Sequence, residues 1–214
     1  QPLGWFKKPV TKVEDFKGMK FRTVGISIDV FSGLGAAVNA LPGGEIVAAM
    51  DRGLLDAAEF NNASSDKALG FADVSKICML QSYHQNAEQF EIMFNKDKYN
   101  TLPEKTRHII ANAAEAASQD MQWKAIDRNS KDYIEMQTKD KVRFFKTPDA
   151  ILKRQLEVYD DVAKKYAAGN PMFKEIAESQ LAFAKRATRW EQDYVVSRKI
   201  AFDHYWGPNA KKPI

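Results

Sequence analysis

Apolar and polar positions switch between a two-residue and a 3.6-residue rhythm along this chain. In the first half the switch is frequent. Met19 to Val24 alternates and is rich in β-formers, which predicts a strand after the Lys17-Gly18 turn. Asp29 to Ala40 carries helical spacing, with Val30, Leu34 and Val38 on one face, until Leu41-Pro42-Gly43-Gly44 breaks it. Glu45 to Arg52 reads as a short helix facing Ile46, Ala49 and Met50 inward, with Gly53 as its C-cap. Leu54 to Phe60 reads as a strand, Asp66 to Phe71 as a helix, and Lys76 to Ser82 as a strand. Past a polar corner, Tyr83-His84-Gln85-Asn86, the segment Gln89 to Asn95 alternates again as a strand. Strands alternating with short helices predict βαβ units and a parallel sheet.

The second half keeps the helical period. Pro103 to Gln137 is helical almost throughout, with Pro103 in the first turn, where proline is tolerated. A short strand, Val142 to Phe145, and a helix, Pro148 to Ala168, follow, and Gly169-Asn170 ends the helix. Pro171 to Trp206 then runs 36 residues without an internal Gly or Pro. As one helix it would be about 54 Å long. That is longer than one small lobe, so it either spans two lobes or reaches a partner. The polar tail, Gly207 to Ile214, is expected to fray. The fold class expected is therefore α/β with long C-terminal helices.

Composition narrows the function. The chain has 214 residues, 44% hydrophobic and 28% charged, with a net charge of +4. This is an ordinary globular composition, large enough for one domain or two small lobes. The basic excess is spread out; Lys7-Lys8 and Lys211-Lys212 are short and terminal. A nucleic-acid surface needs clustered basic residues, so no nucleic-acid partner is expected. The single cysteine, Cys78, lies in an apolar stretch and reads as a buried small residue. No run is apolar enough to span a membrane. The chain begins without an initiator Met or a signal peptide, as a mature protein or a fragment would.

Enzyme signatures are missing. There is no phosphate loop, no GxGxxG after a strand (Ser32-Gly33-Leu34-Gly35 is only a glycine pair) and no GxSxG elbow. His84, His108 and His204 lie far apart and carry no metal-ligand spacing; His108 reads as a helix-face residue and His204 as packing beside Tyr205 and Trp206. Other positions fit a plain core poorly. Arg22 interrupts a strand beside Phe21 and Val24, a costly place unless its guanidinium meets an anion, or else it marks a solvated face. Glu59 ends an apolar strand, where parallel sheets bind ligands, or else it is a surface acid.

Several strings resemble one family. They are Phe16-Lys17-Gly18-Met19-Lys20-Phe21-Arg22, Leu41-Pro42-Gly43-Gly44-Glu45-Ile46, Asp51-Arg52-Gly53-Leu54-Leu55-Asp56-Ala57-Ala58-Glu59-Phe60, Lys67-Ala68-Leu69-Gly70-Phe71, Tyr83-His84-Gln85, and Asn95-Lys96 through Leu102-Pro103. In order and spacing this set is similar to the DctP-type solute-binding proteins of TRAP (tripartite ATP-independent periplasmic) transporters, and within them to the 2-oxo-acid and lactate binders. The resemblance implies a two-lobe periplasmic fold that closes on a small organic monocarboxylate, a 2-oxo or 2-hydroxy acid. Arg22 would pair with the carboxylate as a bidentate fork. A cation, Na+ or Ca2+, would bridge ligand and protein, with Gln1, Glu59 and Phe60 as its protein ligands; Gln1, Arg22, Phe60, Asn61, Tyr83 and Gln85 would line the substrate site.

Two departures stand out. Phe60 replaces the family's tryptophan, and Gln85 replaces an acid, which removes a negative charge beside the ion. The resemblance also implies that an N-terminal lobe is missing here. Residues 1–84 would then form the second lobe, 85–122 the crossover and part of the first, and 123–170 the return. Residues 171–214 would form the long helix, spanning lobes or swapped between subunits of a homodimer. Partners implied are TRAP membrane permease subunits, in the periplasm. An α/β enzyme acting on a carboxylate, with His84 as the acid-base group near Arg22, and a helical dimeric interaction protein are the alternatives.

Overall fold

The structure, a computed structural model, describes residues 1–85, 87, 89–208 and 210. Asn86 of the polar corner and the Lys211-Lys212 pair lie outside the described residues. The chain divides into two compact units, Gln1–Val162 and Ala163–Ile214.

The first unit is built on one six-stranded sheet. Its strands are β1 (Gly4–Phe6), β2 (Lys20–Arg22), β3 (Ala37–Asn39), β4 (Ala57–Ala58), β5 (Ile77–Leu80) and β6 (Arg143–Lys146), in the order β3-β2-β4-β1-β5-β6. β2 is parallel to β3 and β4, and β5 is parallel to β6. The fully parallel sheet expected from the alternation is not what forms. β1 lies in the centre and is antiparallel to both neighbours, with Trp5 opposite Ala58 on one side and Cys78 on the other. Gly4 opens β1 at φ +145, and a Cβ there would sit 2.7 Å from the Ala58 carbonyl oxygen. Only glycine allows the strands to approach so closely.

Successive β1 side chains point to opposite faces, and each seeds a core. Phe6 joins Phe16, Phe21 and Phe31, with Phe21 and Phe31 stacked at 4.2 Å, together with Ile151 and Val158. Trp5 stacks on Phe71 at 5.4 Å among Ile46, Met50, Met136 and Cys78. Helices α1 (Ser27–Gly33), α2 (Ile46–Asp51), α3 (Ala63–Leu69), α4 (Phe71–Val74) and, after α5 (Lys96–Asn100), which buries no residue, α6 (Glu104–Thr138) and α7 (Asp149–Gly169), the last running into the second unit, supply the remaining elements. Asn62 caps α3 by accepting from the Ser65 amide, and Gly70, in the left-handed region at φ +94, separates α3 from α4.

Three further expectations for the first unit need correction. The helix predicted for 29–40 stops at Gly33, and Val38 enters edge strand β3, because Gly35 at φ +98 turns the chain and β2 offers pairing partners. The strand predicted for 54–60 shrinks to Ala57–Ala58. The segment 89–95 is irregular, and Phe90, Ile92 and Met93 are exposed. Alternation creates a strand only where another strand satisfies its amides and carbonyls, and neither edge of this sheet receives it.

α6 buries only Met136. It is tied to α3 by polar contacts. The Ser64 amide donates to Asn129 Oδ1 (2.9 Å), the Ser64 hydroxyl to Asp132 Oδ2 (2.6 Å), and Lys67 Nζ reaches Asp132 (3.0 Å) and Glu135 (2.7 Å).

In the second unit the expected continuous helix 171–206 is two helices, α8 (Pro171–Tyr194) and α9 (Arg198–Trp206). Val195 is extended at φ −92, ψ 120, and Ser197 stands at the N-terminus of α9. Two consecutive β-branched residues followed by a helix-starting serine favour a break although neither Gly nor Pro is present. Among the described residues no helix is long and apolar enough to cross a membrane.

Candidate functional site

β2 and β4 run parallel, and their C-terminal ends bring Arg22 and Glu59 together. Arg22 is 5% exposed and Glu59 1%. Arg22 Nη1 donates to the Glu59 carbonyl oxygen (2.9 Å) and to Glu59 Oε1 (3.1 Å), and Arg22 Nε donates to the Leu41 carbonyl (2.9 Å). Among the described residues none bonds Nη2. Burial draws the Arg22 pKa down, and the Glu59 charge opposes that shift. Of the two readings open for Arg22, a solvated face or an anion partner, the buried pair realises the second.

Gln1 and Asn61 lie at the chain leaving β4, and Gln85 follows His84 in the corner. Gln1 Nε2 donates to the Phe60 carbonyl (3.1 Å), which puts the N-terminal segment against the chain leaving β4. The Asn61 amide donates to Asp66 Oδ1 (2.9 Å). Gln85 is half-buried, and its Oε1 is buried without a hydrogen-bond partner. Tyr83 is 50% exposed; it lines a cavity of about 190 Å³ with Ile26, Ser27, His84, Gln155 and Tyr159, a lining that includes neither Arg22 nor Glu59.

His84, read from the sequence only as an acid-base candidate near Arg22, turns to Glu59 instead, and Ser82, Gln155 and Asp66 escaped the sequence reading. The His84 side chain is fully buried, with Nε2 3.7 Å from Glu59 Oε2 and Nδ1 2.5 Å from Ser82 Oγ. Ser82 is held in turn by Gln155 of α7. Asp66 is 1% exposed and accepts from Trp5 Nε1 (2.8 Å) besides Asn61, so it pins the 60–62 turn to the core. Burial pushes its pKa up to about 6, against the two hydrogen bonds that favour the charged form; the nearby Glu59 charge adds to the rise. Asp66 had only the signal of an acid near a helix start, and Gln155 that of an ordinary polar helix position.

The donor set suits a hard cation. Glu59 Oε2 is buried without a hydrogen bond, and the Phe60 carbonyl and Gln1 amide lie beside each other at the next residue of the chain. Among the described residues no cluster of three or more His, Cys, Asp or Glu side chains could hold a metal. An ion here would rest on Glu59 together with amide and carbonyl oxygens, a set with one formal negative charge.

Comparison with known proteins agrees with this architecture. Residues 3–170 match the family of bacterial extracellular solute-binding proteins, family 7 (DctP), and the chain belongs to that family. A monocarboxylate 2-oxoacid-binding periplasmic protein from Nostoc sp. is 28% identical over 191 residues, which is 88% of this chain and 52% of that protein. The crystal structure of a TRAP periplasmic solute-binding protein from Colwellia psychrerythraea with bound calcium and pyruvate superposes with a TM-score of 0.86 at 27% identity, covering 96% of this chain and 62% of that one. The corresponding protein from Pseudoalteromonas atlantica, with bound sodium and pyruvate, superposes with a TM-score of 0.85 at 24% identity over 96% of this chain and 61% of that one. The fold is that of TRAP periplasmic binding proteins, and the chain spans about half the length of the curated relatives it matches.

Proposed function

We propose that this chain forms most of the solute-binding component of a TRAP transporter, working in the periplasm and binding a small monocarboxylate, a 2-oxo or 2-hydroxy acid, together with Na+ or Ca2+. The observation that carries this reading is the buried Arg22–Glu59 pair at the C-terminal ends of two parallel strands, where open α/β sheets take their ligands. A guanidinium whose Nη2 edge no described residue bonds offers the planar fork that a carboxylate matches. Glu59, Gln1 and the Phe60 carbonyl are the protein oxygens available to a cation, which would neutralise charge between ligand and Glu59. Phe60, Asn61, Tyr83 and Gln85 shape the remainder of the pocket. The relatives from Nostoc and Colwellia support the ligand class. Binding makes and breaks no bond, and the site needs no nucleophile.

We assign residues 1–84 and 123–170 to one ligand-binding lobe and 85–122 to the crossover and part of the other. Support comes from the apolar side chains of Phe90, Ile92, Met93, Phe94 and Ile109, which stay exposed in this chain. Residues 171–214 are assigned to a helical arm that pairs two subunits. On it Phe183, Trp190, Tyr194, Val196 and Ile200 are exposed. A mass independent of concentration would overturn the pairing. The membrane partners are the TRAP permease subunits.

The test is thermal and chemical stability of the full-length gene product with pyruvate, longer 2-oxo acids, lactate and dicarboxylates, each with and without sodium or calcium. A ligand at a hundred times its dissociation constant adds about 2.7 kcal/mol. A cation-dependent shift with a monocarboxylate that vanishes in Arg22→Ala is expected; no shift with any acid overturns the reading.

The uncharged Gln85 predicts weak calcium binding or preference for a monovalent ion, since calcium affinity follows the number of charged ligands. Gln85→Glu is expected to tighten calcium by about tenfold in titration calorimetry. Tight calcium binding by the wild type, unchanged in Gln85→Glu, would contradict this.

A further inference from the structure

The corner after β5 contains more hydrogen-bonding structure than a connecting loop needs. Gln81, at φ +72, starts it, and helices from two directions hold it. From α1, the Ser27 hydroxyl donates to the His84 carbonyl (3.3 Å), and the edge of Phe31 meets the His84 ring at 5.2 Å between centroids. From α7, Gln155, 1% exposed, contacts both Ser82 and Tyr83.

The donors of this network bear on the tautomer of His84. The Tyr83 amide donates to Gln155 Oε1 (3.1 Å), and Gln155 Nε2 donates to Ser82 Oγ (2.9 Å), which also accepts from the His84 amide (3.4 Å). Ser82 has one proton to give. Gln155 Oε1 already holds the Tyr83 amide, and the contact from Ser82 Oγ to His84 Nδ1 is the shorter, 2.5 Å against 3.2 Å. With Ser82 donating to Nδ1 along the shorter contact, the His84 tautomer that carries its proton on Nε2 fits this network. Nε2 faces Glu59 Oε2 at 3.7 Å, and these two buried atoms have no hydrogen-bond partner of their own. Glu59 is thus faced by a donor on each oxygen, Arg22 on Oε1 and His84 on Oε2.

We propose that His84 is a positioning residue for Glu59, and that Gln155, acting through Ser82, aims the His84 Nε2–H at the Glu59 carboxylate so that it keeps the orientation a cation requires. This rests on the cation-assisted carboxylate binding proposed above. The contact reaches the site from α7, so that helix contributes to the cation affinity of the strand ends. Outer groups that orient a ligating carboxylate commonly change metal affinity by 10–100-fold.

The experiment uses the full-length gene product with pyruvate and calcium as probes, comparing wild type, His84→Leu and His84→Gln by calorimetry. Glutamine can place an N–H near the position of Nε2; leucine cannot. In His84→Leu the half-saturating calcium concentration should rise at least about tenfold. Pyruvate affinity at saturating calcium should stay within about threefold, and His84→Gln should restore most of the calcium affinity. Equal calcium dependence in all three proteins would overturn the proposal. So would a parallel loss of calcium and pyruvate affinity in both variants, which marks a packing role alone. If His84→Leu does not fold, Ser82→Ala, which removes the proton given to Nδ1, carries the same test with the same expected split. A wild type that binds pyruvate under no cation condition would instead overturn the ligand reading itself, and this proposal with it.

Discussion

Alanine in place of Glu59 is expected to cost the ligand-free protein about 3–5 kcal/mol, one of the largest effects of any single substitution in this fold. The reason is Arg22. Its guanidinium is almost fully buried, and Glu59 supplies its counter-charge at 3.1 Å. Without that carboxylate, Arg22 keeps the carbonyls of Leu41 and residue 59 as acceptors, but its charge has no partner. Removal of one member of a buried pair is costly because the other charge stays behind; removal of both with apolar replacement is often near neutral. The double variant Arg22→Met/Glu59→Leu should therefore recover much of the lost stability and still bind no monocarboxylate. Urea unfolding of the two single variants and the double variant checks this. If Glu59→Ala lost less than about 1 kcal/mol, the pair would be behaving as a solvated surface contact.

Much of the scaffold was legible because its signals are local. Phe21 and Arg22 sit in a strand, Ile46 and Met50 on an inward helix face, and Cys78 in the core, all as the pattern implies. The antiparallel β1 was not legible: three residues carry no period, and its place is set by partners more than fifty residues away. The segment 89–95 shows the reverse failure, a clear two-residue rhythm with no neighbouring strand to complete it. At the site, Arg22 and Glu59 each looked out of place, but that they answer one another across 37 positions follows only from the β2–β4 register. His84 was noticed only as an acid-base candidate near Arg22. Its partner proves to be Glu59, and the residues that fix its orientation, Ser82 and Gln155, carry no pattern of their own. Buried polar networks assemble residues from several elements, and local periodicity does not encode that.

Asp66 should make the protein lose stability as pH rises from about 4 to about 6. In the folded state burial raises its pKa to about 6, while an aspartate in the unfolded chain titrates near 3.9. The folded state therefore binds the proton more tightly. The stabilisation from that proton is fully present below the unfolded value and is lost as pH climbs through the folded one. A gap of about two pH units corresponds to about 3 kcal/mol. Above pH 6 the carboxylate is charged in the core, held by Trp5 Nε1 and the Asn61 amide, with the Glu59 charge against it. Asp66→Asn removes the titration and keeps one acceptor for those two donors. Plotted against pH, the unfolding free energy of wild type minus that of Asp66→Asn should fall by about 3 kcal/mol between pH 4 and 7 and flatten beyond. Since the Asn61 amide is one of the two donors, the same change should loosen the 60–62 turn, read as faster hydrogen exchange at Asn61. A difference that stays level across this pH range would show that Asp66 titrates as an ordinary aspartate, and that the two hydrogen bonds fully offset its burial.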